Sequence, residues 1–371
     1  MLAVIVPQWY LWPADLPMSA QSIPPRPQPI HELDFAPLAA LVAATFPGSG
    51  PLAYEPMPGG ASTRRYFRVA LPRGSAVAMF VPDGAKPEEI AQTGGGAARW
   101  PFLEVRDLLA SRGVDVPLLH GEDAAHGWVL LEDLGDDTLA NFLVASPGRR
   151  EELYVRAVTD LARAQTALAT LPAGSVVGSR AFDEDLLSWE IHHFREWGLE
   201  ARGITLPADD RARFDRIAER LARRIAGWSR AFVHRDYQSR NLMVRADGAL
   251  CWIDFQDALL GPRVYDLVAL LNDSYQVFDR AFVDARLDDY AGARGLDASE
   301  RLVLGREFDQ VTVQRKLKDA GRFVFIDRVK GNPSFLKFVE PTIAKVCTSL
   351  ERLRDDGDMR ALGDLLARVV R

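Results

Sequence analysis

Cysteine is scarce in this sequence. Its 371 residues include only Cys251 and Cys347, which lie far apart in the chain and have no metal-ligand spacing. Such a low count is typical of a protein kept in a reducing cytoplasm, and it does not indicate a disulfide framework. Because Cys251 stands inside the apolar run ALCWIDF, we expect it to be a buried, reduced thiol.

Long apolar runs are also missing. No stretch reaches the roughly 18 residues that are needed to span a bilayer. The N-terminal segment MLAVIVPQWYLWPADLP resembles a signal peptide, but it has no basic segment and Pro7 breaks its apolar run. We therefore expect residues 1–30 to form a Pro-rich, partly disordered leader, with Met18 as an alternative start, and we predict a cytoplasmic protein with no membrane partner.

The chain has no excess of basic charge. It contains 45 Lys and Arg residues against 51 Asp and Glu residues, and the basic residues are scattered. This balance argues against nucleic acid or an anionic membrane as the main partner. With 48% hydrophobic residues and no internal repeat, the chain is expected to bury a sizeable core in two lobes or domains.

The pattern of apolar residues changes near residue 135. Before it, a helix at 34–46 is followed by short alternating strands, a turn at Gly59 and Gly60, and one inserted helix. After it the pattern is helical, except for two short strands and loops around residues 230–262. The sequence predicts an α+β fold. Its two lobes are a small antiparallel β-sheet lobe at 31–135 and a larger, mainly helical lobe at 136–371.

The stretch FVHRDYQSRNLMV, residues 232–244, places Asp236 and Asn241 five residues apart in one loop. Asp254 follows at the end of the apolar strand CWIDF. These three oxygen-bearing side chains suit Mg²⁺ that is held by few protein ligands and by substrate phosphates. A kinase divides such work between one Asp, which orients and deprotonates the acceptor hydroxyl, and two metal ligands. Here Asp236 takes the first role, and Asn241 and Asp254 take the second.

HRDYQSRN followed by IDF resembles the catalytic core of the protein-kinase-like fold. The run GPRVYDLVALLNDSY resembles the aminoglycoside phosphotransferase and choline kinase branch of that fold. Together with the more C-terminal VQRKLKDAGRF, these motifs are similar in sequence to the anomeric kinases of N-acetylmuramate and N-acetylglucosamine. The similarity covers about residues 36–360. The resemblance implies ATP and Mg²⁺ as cofactors. It also implies an amino sugar as substrate, phosphorylated at its C1 hydroxyl for peptidoglycan recycling.

The resemblance also places the nucleotide on the N-terminal lobe. LLEDLG would be the hinge facing adenine, where Glu132 and Leu134 contribute main-chain groups. GGASTRR would be the loop over the phosphates. Its polar members are Ser62, Thr63, Arg64 and Arg65. The alternatives are a strand that simply leaves the sheet and a glycine turn that binds nothing.

The strand SAVAMFV departs from the family pattern, because Met79 or a neighbour stands where a phosphate-pairing lysine is expected. Glu104, the partner that such a lysine would have, is then interpreted as an ordinary surface residue. Either Arg64 or Arg65 supplies the missing positive charge, or the chain is a pseudokinase that binds nucleotide without transferring phosphate. The complete set of three oxygen-bearing side chains favours the active enzyme.

Two residues near the catalytic loop are predicted to support it. His234 is expected to hydrogen-bond the backbone rather than to act as a base. Asp266, in VYDL, is interpreted as an acceptor that braces the loop, with a plain carboxylate at a helix N-terminus as the alternative.

The acceptor sugar is expected to bind to the helical lobe. The proposed contacts are polar residues at Glu190, Asp273, Gln314, Arg315 and Lys318. A basic group among them would suit the lactyl carboxylate of N-acetylmuramate, whereas a solvated helix stripe is the alternative interpretation. Trp189, His192 and His193 are assigned to the core or to an interface. The rival within the class is an aminoglycoside- or choline-type kinase, although an aminoglycoside site needs a strongly acidic cleft, and this tail mixes Asp with Arg and Lys.

Overall fold

The computed structural model describes residues 33–58, 64–82 and 100–369, which form two compact units. Of the described residues, the first unit contains 33–58, 64–82, 100–101 and 116–137, and the second contains 102–115 and 138–369. The leader predicted at residues 1–30 and the turn predicted at Gly59 and Gly60 lie outside the described residues.

The first unit combines a helix with a five-stranded sheet. The helix, α1, spans Ala36–Thr45. The strands are β1 (Tyr54–Pro56), β2 (Arg65–Ala70), β3 (Ser75–Phe80), β4 (Leu119–Asp123) and β5 (Trp128–Glu132). They stand in the order β1-β2-β3-β5-β4, and each neighbouring pair is antiparallel. The small antiparallel sheet predicted from the sequence is therefore confirmed.

Alternate strand residues form the core of the first unit. Phe67 and Val69 on β2 are fully buried, and so are Trp128 and Leu130 on β5. The ring centroids of Phe67 and Trp128 lie 5.7 Å apart, and Leu38 of α1 belongs to the same apolar cluster. These residues share one face of the sheet, because successive side chains of a strand point to opposite faces. On β5 the intervening Val129 and Leu131 are buried as well.

The second unit is mainly helical. Its helices are α2 (Pro101–Ser111), α3 (Leu139–Ala145), α4 (Arg150–Ala167), α5 (Glu184–His193), α6 (Ala208–Ala226), α7 (Tyr265–Leu271), α8 (Arg280–Ala293), α9 (Ala298–Lys330), α10 (Val339–Arg352) and α11 (Gly357–Val369). A π-helical turn at Phe194–Leu199 continues α5. This unit confirms the helical pattern of the second half of the sequence and, with the sheet, the α+β fold class.

The 33-residue helix α9 contacts α5, α6, α7, α8 and α10. It begins with a capping box formed by Asp297 and Glu300, and it ends at Gly331 in the left-handed conformation. At Gly321 an added Cβ would lie 2.7 Å from the carbonyl oxygen of His193. Glycine therefore lets α9 approach the end of α5 closely, and the polar residues predicted on α9 lie inside the unit.

Four short strands interrupt the helices between residues 230 and 262. They form two antiparallel pairs, β6 (Arg230–Val233) with β9 (Leu259–Pro262) and β7 (Leu242–Val244) with β8 (Leu250–Trp252). The sequence pattern predicted two strands here. Strands of three or four residues are too short to show a clear alternating pattern, which explains the difference.

Segment 102–115 belongs to the second unit, although it lies within the range 31–135 that was predicted to form the N-terminal lobe. Phe102 stacks on Phe255 with ring centroids 5.1 Å apart. Arg245 donates two hydrogen bonds to the Asp115 carboxylate, at 2.6 and 2.9 Å. These contacts join the segment to the strand pair β7–β8 and to the residues that follow it.

Two further expectations can be compared with the described residues. Among the described residues, no helix is long and apolar enough to cross a membrane. Cys251 is buried, Cys347 is exposed, and neither forms a disulfide.

Candidate active site

Asp236 lies in the loop between β6 and β7, and it is only 9% exposed. Burial raises the pKa of its carboxyl above the usual range, while nearby Arg315 opposes the shift. The preceding residue, Arg235, has φ 81°, and Asp254 has φ 64°. A non-glycine residue in this left-handed region costs about 1–3 kcal/mol and often marks a functional site. Here the two strained residues adjoin or form the predicted site.

Asn241 and Asp254 are brought together by the β7–β8 pair. Leu242 is paired with Trp252, and the Ile253 N–H donates to the Asn241 carbonyl oxygen at 3.0 Å. Asp254 therefore follows directly after a residue that is bonded to Asn241. In addition, Asn241 Nδ2 donates to the Asp236 carbonyl oxygen at 2.8 Å. This bond fixes the orientation of the amide and identifies its other end as the oxygen donor.

The donor set suits Mg²⁺. The Asn241 amide oxygen and the Asp254 carboxylate are hard oxygen ligands, and the carboxylate is oriented by Gln256, whose Nε2 donates to Oδ1 at 2.9 Å. The described residues contain no group of three or more His, Cys, Asp or Glu side chains that could hold a metal by themselves. A site with so few protein ligands fits a cation that takes its remaining ligands from phosphate and water.

His234 connects the two halves of the site. Its Nε2 lies 3.1 Å from the carbonyl oxygen of Ile253, the residue before Asp254. Burial lowers the pKa of the ring to about 4, so the imidazole is neutral at pH 7. The carbonyl can only accept a hydrogen bond, which assigns the proton to Nε2. This position suits the supporting role predicted for His234.

Asp266, at the start of α7, lies beneath the same loop. Its Oδ2 accepts the His234 N–H at 2.6 Å, and its Oδ1 accepts the Arg235 N–H at 2.9 Å. Burial raises the pKa of Asp266 to about 7, although both hydrogen bonds act in the opposite direction. The carboxylate is thus bonded to two consecutive loop amides, which is the geometry that the bracing interpretation requires.

Three of the predicted sugar contacts form a buried polar cluster between α5 and α9. Gln314 Nε2 donates to the Glu190 carboxylate at 2.7 Å, and Lys318 Nζ lies 3.9 Å from the other carboxylate oxygen. Glu190 and Gln314 are almost completely buried. The alternative of a solvated helix stripe is therefore wrong for these residues, because the stripe faces α5 and not water.

Asp273 and Arg315, which are also predicted sugar contacts, have hydrogen-bond partners in or near the catalytic loop. Asp273 accepts hydrogen bonds from Ser239 Oγ and from the Tyr275 N–H, both at 3.1 Å, so it braces the catalytic loop. Arg315 is 1% exposed and donates to the Arg235 carbonyl oxygen at 2.9 Å. Both side chains thus hydrogen-bond residues of the loop itself, and no sequence pattern distinguishes such residues from ligand contacts.

Of the aromatic and histidine residues assigned to the core or to an interface, His193 is buried, His192 is half-buried and Trp189 is exposed. His193 is buried, with ring centroids 5.4 Å from Trp189 and 5.7 Å from Phe325. Burial lowers the pKa of His193 to about 3. His192 Nε2 lies 3.3 Å from the Asp215 carboxylate.

The predicted nucleotide residues lie partly in the first unit and partly outside the described residues. Ser62 and Thr63 lie outside them. Arg64 is buried, and Arg65 begins β2 opposite Phe80. At the end of β5, the Glu132 carboxylate accepts the Leu118 N–H at 3.1 Å, and Leu134 is half-buried two residues later.

An ion-pair group that the sequence did not predict contacts the predicted hinge. Arg68 on β2 donates to Asp133 at 2.7 Å and to Asp136 at 2.9 Å. Ser75 Oγ also donates to Asp133, at 2.6 Å. The three interactions attach residues 133–136 to β2 and β3. The outward position of Arg68 in an alternating strand was the available signal, but it did not indicate which carboxylates would face it.

The position of the missing lysine is filled by an apolar side chain. Met79 on β3 is fully buried and stands between Tyr66 and Val129 in the sheet register. Glu104 is half-buried, and its carboxylate accepts the Val176 N–H at 2.6 Å. The interpretation of Glu104 as an ordinary surface residue is therefore wrong, because this carboxylate has a backbone partner within the second unit.

Known proteins resemble this chain in sequence and in fold. An N-acetylmuramate/N-acetylglucosamine kinase of Pseudomonas aeruginosa is 34% identical over 84% of this chain and 87% of its own length. A protein of the same name from Pseudomonas putida is 32% identical over 83% of this chain and 85% of its own length. A choline kinase of Cryptosporidium parvum shares the fold, with a TM-score of 0.58 and 11% identity, covering 90% of this chain and 100% of its own.

The family model described as "phosphotransferase enzyme family" matches residues 53–302. This range includes the sheet of the first unit and the loops that carry Asp236, Asn241 and Asp254. Both the length of the match and the identity to curated relatives support one assignment: the chain belongs to the phosphotransferase enzyme family, APH.

Proposed function

We propose that this protein is an ATP-dependent sugar kinase that phosphorylates the anomeric C1 hydroxyl of N-acetylmuramate and N-acetylglucosamine in the cytoplasm, for peptidoglycan recycling. The observation that carries the proposal is the assembly of Asp236, Asn241 and Asp254 around one hydrogen-bonded loop pair. It is supported by relatives that bear this kinase name and are 32–34% identical over more than four-fifths of the chain.

Asp236 is proposed to orient the attacking hydroxyl and to accept its proton. The carboxylate must lie about 3 Å from the hydroxyl oxygen. The anomeric hydroxyl is the most acidic on the sugar ring, because the ring oxygen withdraws electron density. The raised pKa of Asp236 makes the carboxylate a better proton acceptor than an exposed aspartate. A new bond then forms between the C1 oxygen and the γ-phosphorus, the bond from that phosphorus to the β–γ bridging oxygen breaks, and ADP leaves.

Asn241 and Asp254 are proposed to hold Mg²⁺ with nucleotide phosphates as further ligands. Bound there, the metal would offset charge on the β- and γ-phosphates during transfer. In the first unit, we assign the adenine contacts to main-chain groups of Glu132 and Leu134. The phosphate contacts are assigned to Ser62, Thr63, Arg64 and Arg65.

The sugar is proposed to contact the Glu190 cluster. Gln314 Oε1 is buried and has no hydrogen-bond partner among the described residues, so it offers an acceptor for a sugar hydroxyl or amide N–H. Glu190 offers a second acceptor. The Lys318 side chain retains 12% exposure and provides a cation for the lactyl carboxylate of N-acetylmuramate.

A product assay tests the proposal directly. The protein is incubated with Mg-ATP and with amino sugars, aminoglycosides and choline in parallel, and products are identified by mass and phosphorus NMR. We expect phosphorylation at C1 of N-acetylmuramate and N-acetylglucosamine. Phosphorylation at C6, or of an aminoglycoside or choline alone, would refute it. Asp236→Asn serves as the control, with ATP binding retained and turnover reduced about 10²- to 10⁴-fold.

A pseudokinase is the second candidate function, and the buried Met79 favours it. Without a lysine on β3, the phosphates lose one positively charged contact that an active kinase normally uses. Retained ATP binding, with no ADP release on addition of any sugar, would establish the pseudokinase.

A further inference from the structure

The main chain of Arg235 is hydrogen-bonded on both sides by buried charged side chains. Its N–H donates to Asp266 Oδ1 at 2.9 Å, and its carbonyl oxygen accepts from Arg315 Nη1 at 2.9 Å. Asp266 comes from α7 and Arg315 from α9, and neither is more than 1% exposed. The residue between these two partners has φ 81°, the left-handed value that L-residues rarely adopt.

The same guanidinium also faces the catalytic carboxylate. Arg315 Nη2 lies 3.6 Å from Asp236 Oδ1. The guanidinium plane is further packed against the ring of Tyr265, 4.4 Å from its centroid. Arg315 therefore contacts the backbone before Asp236 and the side chain of Asp236 at once, from a position fixed by an aromatic ring.

Arg315 and Lys318 differ in ways that separate a supporting residue from a ligand contact. Lys318 is the more exposed of the two, at 12% of its side chain against 1%, and it points its amine toward Glu190 and Asp319. One terminal guanidinium nitrogen of Arg315, Nη1, already donates a hydrogen bond to the Arg235 carbonyl oxygen of the loop. A sugar carboxylate is therefore better matched to the partly exposed Lys318 amine than to the buried Arg315, whose Nη1 is bonded to the loop.

We propose that Arg315 is a positioning residue for phosphoryl transfer, which holds the Asp236 carboxylate and the Arg235 peptide in the orientation that receives the acceptor hydroxyl. This inference rests on the proposed function of Asp236. It assigns Arg315 to the reaction through Asp236 and not to sugar binding.

A positioning role has a kinetic consequence that differs from a binding role. An orienting interaction stabilises the transition state more than the bound substrate. Its removal therefore lowers kcat while KM changes little. A displacement of about 1 Å can lower the rate about 100-fold. A lost sugar contact would instead raise the KM for the sugar. The two roles are therefore distinguished by separate measurement of kcat and KM.

The test uses Arg315→Met, Arg315→Lys, and the double variant Asp236→Asn/Arg315→Met, with Arg328→Met as a matched control at an exposed position of the same helix. We expect Arg315→Met to lower kcat about 10- to 100-fold, with the KM for N-acetylglucosamine and for ATP within about twofold of the parent. Arg315→Lys should recover part of this loss, because it keeps the charge. The double variant should be no slower than Asp236→Asn alone, since Arg315 acts through that carboxylate.

Several outcomes would overturn the inference. An unchanged kcat in Arg315→Met, a raised sugar KM with normal kcat, or additive losses in the double variant would each do so. Thermal unfolding and ATP binding show whether each variant folds. If Arg315→Met does not fold, Arg315→Lys decides by the same kinetic criteria, and failure of both to fold would make Arg315 purely structural. A parent protein without turnover refutes the proposed function as well, whereas an active parent confines the failure to Arg315.

Discussion

The Nε2 of His234 lies 3.1 Å from the carbonyl oxygen of Ile253. These residues immediately precede Arg235 and Asp254, the two positions where the backbone adopts a positive φ. One hydrogen bond thus connects the loop of Asp236 to the loop of Asp254. Because the imidazole is buried, protonation of its ring would place a charge between the two loops and weaken the structure around this hydrogen bond.

This bond predicts a pH dependence of stability. The pKa of His234 is lowered by burial to about 4, from 6.5 in an exposed histidine. The unfolded chain therefore binds more protons between these values, and the contribution of His234 to stability is lost as the pH falls from about 6.5 to about 4. We expect the parent to lose about 2 kcal/mol more than His234→Gln between pH 7 and pH 5. Urea unfolding at both pH values measures the difference.

The comparison with the variant is necessary because Asp266 acts in the opposite direction. Its pKa is raised to about 7, so its contribution becomes more favourable as the pH falls toward 4. This contribution is common to the parent and to His234→Gln, and it cancels in their difference. Equal pH dependence in the two proteins would show that the His234 ring is not held neutral.

Asp254 is expected to determine the metal requirement. Replacing Asp254 by Asn keeps the size of the side chain but removes one charge from a site with few protein ligands. We expect the Mg²⁺ concentration for half-maximal turnover to rise at least about 10-fold, because ligand charge contributes strongly to cation affinity. Titration of turnover with Mg²⁺ at fixed ATP measures this. Asp247→Asn, the same change at an exposed position of the turn between β7 and β8, serves as the control, and an unchanged Mg²⁺ requirement in Asp254→Asn would exclude Asp254 as a ligand.

The sequence predicted those parts of the site that lie close together along the chain. Asp236, Asn241 and Asp254 could be assigned because their spacing places them in adjacent loops. The partners of that loop come from distant segments. Arg315 lies about 80 residues beyond it, and no periodic pattern states that its side chain turns toward the loop carbonyl and not toward a ligand. Burial of polar residues on α9 depends on tertiary packing, which local sequence patterns do not specify.

Lys318 is expected to discriminate between the two proposed sugars. N-acetylmuramate carries a lactyl carboxylate that N-acetylglucosamine lacks, and a charge-assisted hydrogen bond contributes about 1.5–3 kcal/mol. Lys318→Met should therefore lower kcat/KM for N-acetylmuramate about 10-fold or more and change that for N-acetylglucosamine much less. Lys318→Arg, which keeps the charge, should retain the preference. Equal losses for the two sugars in Lys318→Met would show that the lysine does not contact the lactyl group.

Met79 is expected to resist replacement by the lysine that the family pattern contains. Its side chain is fully buried in the sheet, and a charged amine at this position would lose its contact with water. We expect Met79→Lys to lower the free energy of unfolding by more than about 3 kcal/mol, whereas Met79→Leu, which conserves volume, should cost less than about 1.5 kcal/mol. Chemical denaturation measures both. If Met79→Lys is instead as stable as Met79→Leu and increases turnover, β3 can accommodate the phosphate-pairing amine. This chain would then differ from kinases that carry the lysine by one side chain at that position.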